Sequence, residues 1–212
     1  MPQETFFNLP ADKRNLIITA ATQEFSKASY NIASINQICK TSNIPKGSFY
    51  QYFTDKLDLY VYIMNIAIEE KVNFFSSAIA EFHTLTLLDQ FRLLFIKGVE
   101  FAKKHPQYAA LGEQFSKEND ETAKSAVIKE GEKQSESLFI QMIENAKTKG
   151  EIDNMVDTLA LSLLLQSLNS TVNRYMLDKF GSANYEYNQE DVNNFVDSLL
   201  SIVFHGIKKR VD

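Results

Sequence analysis

The stretch Asn43–Lys56, NIPKGSFYQYFTDK, decides the fold. It sets four aromatic rings, Phe49, Tyr50, Tyr52 and Phe53, into five positions just after a Pro-Lys-Gly-Ser turn. A short helix cannot carry all of them on one face, because residues four apart are neighbours and adjacent residues are not. Phe49 and Phe53 are four apart and make an inner face, with Ile44 before them. Tyr50 and Tyr52 fall off that face and need another role.

The sequence on either side supplies one. Residues 12–28, DKRNLIITAATQEFSKA, place Ile17, Ala21, Phe25 and Ala28 at helical spacing. Ser34 is placed to cap a second short helix, INQICK, with Ile35, Ile38 and Cys39 on one side. Asn43, in the turn that follows, tolerates a left-handed backbone. Pro45 suits the start of a third helix, and Thr54 can cap a fourth. Three short helices joined by tight turns describe a helix-turn-helix head, whose second motif helix enters the DNA major groove. The motif helices fall at about Ser34–Lys40 and Pro45–Phe53.

The outer face of that last helix suits DNA. Lys46 can pair with a phosphate or with guanine, and Gly47 lets a backbone approach closely. Ser48 can donate to phosphate. Tyr50 and Tyr52 each join a flat ring to a hydroxyl, and Gln51 matches the edge of adenine. Lys56 is a further candidate for a phosphate contact. Each signal has a plainer reading: aromatics at helical spacing also build cores, and a helical glycine also marks a close packing point. Their order along the stretch carries the reading.

The segment from Lys13 to about Tyr60 resembles the tetracycline-repressor (TetR) family of bacterial transcription regulators. The resemblance lies in Ile17, Ala20, Ala21, Phe25, Ile38, Lys46, Gly47, Ser48, Phe49, Tyr50, Tyr52, Phe53, Lys56 and Leu59. Ser29 stands where the family usually has Gly, Cys39 where it has Ala, and Ser42-Asn43 where it has Ala-Gly. If Ser29 had to be left-handed, the cost would be modest. The resemblance implies DNA contacts at Ser34, Lys46, Gly47, Ser48, Tyr50, Gln51, Tyr52 and Lys56, with Asn36 as a base reader. It implies a DNA-binding domain over 1–55 and an effector-binding, dimerising domain over 56–212. It also implies a ligand-responsive regulator, most often a repressor, bound as a homodimer to a near-palindromic operator. A protein-interaction module that keeps the fold without sequence-specific DNA binding is the alternative.

The rest of the chain reads as helices without strands, giving an all-α protein of about nine helices. Seven Gly and four Pro leave little material for turns. A fourth helix runs to about Phe82. A long helix ends at Lys147, Lys149 and Gly150, and two more span about Val156–Phe180 and Glu190–Lys209. In the last of these Val192, Phe195, Val196, Leu199, Leu200, Val203 and Ile207 form an apolar stripe. The helix before it, around LALSLLLQSL, is apolar nearly all round and must be buried on several sides. Leu163, Phe195, Leu199 and Val203 are the expected dimer contacts. Two recognition helices about 34 Å apart then match successive major grooves.

Ser162, Gln166, Asn169 and Asn173 lie along one line of that apolar helix and need partners. They face an effector pocket, a dimer partner or water. Phe91, Phe95, Phe101, Tyr108, Phe115, Phe139 and Met142 are candidate pocket lining, for an apolar or planar effector. The ligand-binding set is thus Phe91, Phe95, Tyr108, Phe115, Phe139, Met142, Gln166, Asn169 and Asn173.

The net charge of −5 argues against a chain coated with nucleic-acid-binding charge. Residues 1–56 nevertheless hold six Lys/Arg against four Asp/Glu, so a slightly basic head precedes an acidic body. The one cysteine, Cys39, can form no internal disulfide and reads as a small buried residue. The leading residues lack a signal-peptide pattern, and no apolar run is long enough to span a bilayer, so the expected location is the cytoplasm. His83, His105 and His205 show no metal-ligand spacing, and no nucleophile or phosphate-loop signature appears. No enzyme activity, metal or cofactor is expected.

Overall fold

The computed structural model describes residues 1–180 and 189–206, apart from the side chains of 77, 129–137, 169, 170, 173, 177 and 189. These residues form ten α-helices, one 3-10 helix at Phe82–Thr84 and no strand, so the fold is all-α. The helices are α1 Glu4–Phe7, α2 Ala11–Lys27, α3 Ile35–Thr41, α4 Lys46–Tyr52 and α5 Lys56–Ala80, followed by α6 Leu87–Lys104, α7 Pro106–Ser116, α8 Glu121–Thr148, α9 Thr158–Phe180 and α10 Gln189–His205. The count exceeds the expected nine or so. α1 and the 3-10 turn are too short to show a periodic pattern.

Local chemistry sets the boundaries. The Ser34 hydroxyl accepts from the Gln37 amide at 3.4 Å and caps α3. Asn43 takes a left-handed φ of 54° at the turn, and its amide reaches back to the Lys40 carbonyl. Ser29 is not left-handed, since Asn43 is the only described non-glycine residue with positive φ. The expected strain at Ser29 is therefore absent. Its carbonyl instead receives the Ile32 and Ala33 amides at 3.1 and 2.9 Å. The cap of α5 differs from expectation: the Asp55 carboxylate, not Thr54, accepts the Asp58 amide at 2.8 Å. The Asp58 carboxylate in turn accepts the Thr54 amide at 3.0 Å, a reciprocal arrangement like a capping box. α5 stops at Ala80, short of Phe82.

α8 ends as expected. Gly150 has φ 73°, and the Glu151 amide closes back on the Ala146 carbonyl at 2.9 Å. α9 begins at Thr158, not Val156, because the Asp157 carboxylate caps it by accepting the Ala160 amide at 2.7 Å. The expected end of α10 near Lys209, with Ile207 in its stripe, lies outside the described residues.

The chain divides into two compact units. The first takes Met1–Asn73 and Lys104–Lys133, and the second takes Phe74–Lys103 and Gln134–Asp212. Packing therefore divides the chain differently from the expected functional division at 55/56. The core of the first unit joins Phe6, Ile17, Phe25, Ile38, Phe49, Phe53, Leu59 and Ile63 to Leu111, Ala123 and Val127. The core of the second joins Leu87 and Phe91 to Met142, Ile143, Leu165, Met176, Val192 and Leu200.

Candidate nucleic-acid interface

The four aromatics of the decisive stretch take three roles. Phe49 and Phe53 are both 0% exposed, with rings 5.5 Å apart, and fasten α4 to the core of the first unit. Tyr50 stands outside, 52% exposed, with its ring edge-on to Phe49 at 5.1 Å. Tyr52 is half-buried, its ring 6.3 Å from Phe6. Much of the Tyr52 ring therefore packs inward, which the alternation along α4 did not foresee.

Around Tyr50 the outer surface is polar. Asn36, Lys46, Gly47 and Gln51 are exposed, and Ser34 and Ser48 are half-buried. The Ser34 amide donates to the Glu24 carboxylate at 2.8 Å, and its hydroxyl, which accepts in the cap, keeps its own proton free to donate. A Cβ built on Gly47 would meet no heavy atom within 4 Å. No packing constraint among the described residues explains this glycine, so its lack of a side chain leaves open space on the outer surface of α4. Gln37 is also exposed on α3 and donates to Thr41 Oγ1 at 3.3 Å. Sequence spacing did not single it out.

Lys56 sits differently from expectation. Its ammonium donates to the carbonyls of Asn31 and Ala33, at 3.2 and 3.1 Å, and lies 4.5 Å over the Tyr30 ring. An ammonium carries three N–H groups, and two of these are engaged in holding the α2–α3 turn.

That turn is held from a second side by Glu118, which is 4% exposed. Its carboxylate accepts the Tyr30 amide at 2.7 Å and the Asn119 and Asp120 amides at 3.0 and 2.9 Å. The α7–α8 joint is thus bonded to the turn ahead of α3. Burial, and then the Glu118 charge, push the Tyr60 hydroxyl well above the usual tyrosine range, so Tyr60 stays neutral. Cys39 is buried as expected, and burial raises its thiol pKa while Lys46 opposes the shift.

The expected effector residues fall in both units. In the second, Phe91 and Phe139 stack at 5.5 Å, and Met142 is 3% exposed in the same core, with Phe95 packed against it. In the first, Phe115 packs against the core and Tyr108 stacks on His105 at 5.9 Å. Ser162 is fully buried, and its hydroxyl accepts from the Gln166 amide at 2.9 Å, so two residues of the polar line satisfy each other. The side chains of Asn169 and Asn173 lie outside the described residues. A hollow of about 150 Å³ in the second unit is lined by Phe95, Ile96, Arg92, Asn193, Val196 and Asp197. It is below the volume range of sites for drug-sized ligands. Another hollow, of about 500 Å³, lies in the first unit beside Leu57, Val61 and Tyr62 and includes none of the expected lining.

Of the expected dimer contacts, Leu163 is 58% exposed, and Phe195, Leu199 and Val203 are half-buried. Leu159, Leu164 and Ile202 are also exposed. The expectation that α9 is buried on several sides is not met within a single chain. Among the described residues no three His, Cys, Asp or Glu are gathered as a metal would require, and no helix is long and apolar enough to cross a membrane.

The chain has recognisable relatives. Residues 17–63 match the family model described as bacterial regulatory proteins, tetR family. Over 59 residues the chain is 30% identical to the uncharacterised HTH-type transcriptional regulator YhgD of Bacillus subtilis, covering 28% of this chain and 31% of that protein. Over 51 residues it is 41% identical to the HTH-type transcriptional regulator HbdR of Aromatoleum sp., covering 24% and 22% of the two. The likeness to these curated relatives thus spans under a third of their length. Among solved structures, a TetR family transcriptional regulator from Chloroflexus aurantiacus is 26% identical, with a TM-score of 0.70 over 99% of this chain and 100% of that one. FadR of Bacillus subtilis, solved in complex with stearoyl-CoA, shares the fold at 17% identity, with a TM-score of 0.70 over 92% of this chain and 99% of that one.

Proposed function

We propose that the chain, which belongs to the tetracycline-repressor family of bacterial regulatory proteins, is a ligand-responsive DNA-binding repressor acting in the cytoplasm. The observation that carries this reading is the outer face of α3 and α4. Asn36, Lys46, Tyr50 and Gln51 are exposed there, over two fully buried phenylalanines and beside a glycine with open space above it. Short and planar polar groups around a bare backbone suit entry into a major groove. Lys46, Ser48 and Ser34 would hold phosphates, Gln51 and Asn36 would read base edges, and Tyr50 would pack on a thymine methyl or bond a phosphate. Tyr52 and Lys56 would contact DNA with their remaining free surface and third N–H. In this scheme residues 1–55 read DNA, and residues 56–212 bind effector and dimerise.

Leu159, Leu163, Leu164 and Ile202 support a homodimer through α9 and α10, since exposed apolar residues on two neighbouring helices fit a second copy of the same face. A homodimer requires a near-palindromic operator. An apolar or planar effector would act by binding the DNA-free state more tightly than the bound one. The stearoyl-CoA of the FadR structure makes a fatty acyl-CoA the first probe. No catalytic step belongs to this reading.

Selection of genomic fragments by the purified protein tests it. The expected outcome is a small set of fragments sharing a near-palindrome, whose transcription rises when the gene is deleted. Enrichment of no motif would sink the reading and leave a protein-interaction module on the same fold.

A further inference from the structure

The recognition helix α4 is held at its end by a segment far away in sequence. α4 has seven residues, too few to hold together by itself. The last four carbonyls of a helix have no partner inside it. Here the Phe49 carbonyl receives the Phe53 amide at 2.9 Å. Two more are taken by the segment Gln3–Phe7. The Tyr52 carbonyl accepts the Gln3 amide at 2.8 Å, and the Gln51 carbonyl accepts the Thr5 hydroxyl. The Gln3 side chain also donates to Thr54 Oγ1 at 3.2 Å, just beyond the helix.

The segment is itself secured. Phe6 is 0% exposed, with its ring 4.9 Å from Phe53 and 5.5 Å from Tyr62. Behind it the Arg14 guanidinium donates to the carbonyls of Phe7 and Leu9. We propose that Gln3–Phe7 serves as a remote C-terminal cap of the recognition helix, and that Thr5 is a positioning residue which sets how α4 presents Lys46, Tyr50 and Gln51. Gln51 joins the two roles, because its side chain is a base reader and its carbonyl is what Thr5 holds. The effect on DNA rests on the function proposed above, whereas the cap does not.

Thr5→Val in the full chain removes the hydroxyl and keeps the shape, at an exposed position where folding is not at stake. Amide exchange of Tyr50–Phe53 should speed up by roughly threefold to tenfold, the range a single net hydrogen bond supports. Binding to a duplex selected by the wild type should weaken by a similar factor. Binding to a random duplex, the salt dependence of binding and the melting temperature should barely move, and Thr5→Ser should restore wild-type exchange and affinity. Unchanged exchange in Thr5→Val would overturn the cap. Equal losses on selected and random duplexes, with a shallower salt dependence, would show that the segment touches DNA itself and overturn the positioning role. A wild type that selects no duplex would remove the DNA reading, while the exchange result would still decide the cap.

Discussion

The core aromatics of the first unit and the α9 leucines of the second meet opposite surroundings. In the first, the aromatics that matter most are sealed: Phe6, Phe25, Phe49 and Phe53 are each no more than 1% exposed. In the second, α9 and α10 bury Leu165, Met176 and Leu200 but leave Leu159, Leu163 and Leu164 about half uncovered. The aromatic core of the first unit is closed within one chain. A helix pair with apolar residues on both sides is complete only when something else covers it. On the function proposed above, the first unit presents the face that reads DNA and the second the face that meets a second copy.

Several substitutions break or sharpen this contrast. The largest effect should come from Phe53→Ala, which empties the centre of the sealed core. A loss of about 3–5 kcal/mol is expected, seen as a lower denaturation midpoint and as lost protection of α3 and α4 amides. Glu118→Ala comes next, because it leaves the part-buried Tyr30, Asn119 and Asp120 amides without their acceptor. That should cost about 1–3 kcal/mol in chemical denaturation, with faster exchange in the α2–α3 turn. In the open unit, Leu163→Asp should scarcely change the stability of the isolated chain. It should raise the dimer dissociation constant by about tenfold or more, roughly 1.4 kcal/mol, measured by sedimentation. If the mutant unfolds instead, Leu163 is core and the contrast fails. The smallest change should be Gly47→Ala. It should stabilise α4 by about 0.5–1 kcal/mol while weakening binding to a selected duplex, a pairing of signs that a packing role for Gly47 would not produce.

What could be read from the sequence follows the range of the interactions. Phe49 and Phe53 were legible because four-residue spacing is local. So were Asn43 at its left-handed turn, Ser34 at its cap and Gly150 at the end of α8. α1 was not, since four residues carry no period and its anchor, Phe6, meets Phe53 across the whole head. Lys56 looked like a free phosphate contact because nothing local shows that the Asn31 and Ala33 carbonyls come to meet it. Glu118 was invisible for the same reason: its main partner, Tyr30, is 88 residues away. Tyr52 was misjudged in part because alternation places it outside, while Phe6 covers one side of its ring. The sequence of α9 points to burial on several sides because its composition is apolar nearly all round. Composition states what a surface needs, not whether this chain or a second copy provides it.

On the function proposed above, the outer face of α3 and α4 reads DNA sequence. Titrating the wild-type protein by fluorescence anisotropy against a selected near-palindromic duplex and a scrambled one, at physiological salt, tests it most directly. The account predicts binding to the selected duplex at least about a thousandfold tighter, within the range of specific regulators, with two chains per duplex. Equal affinity for the two duplexes would contradict it.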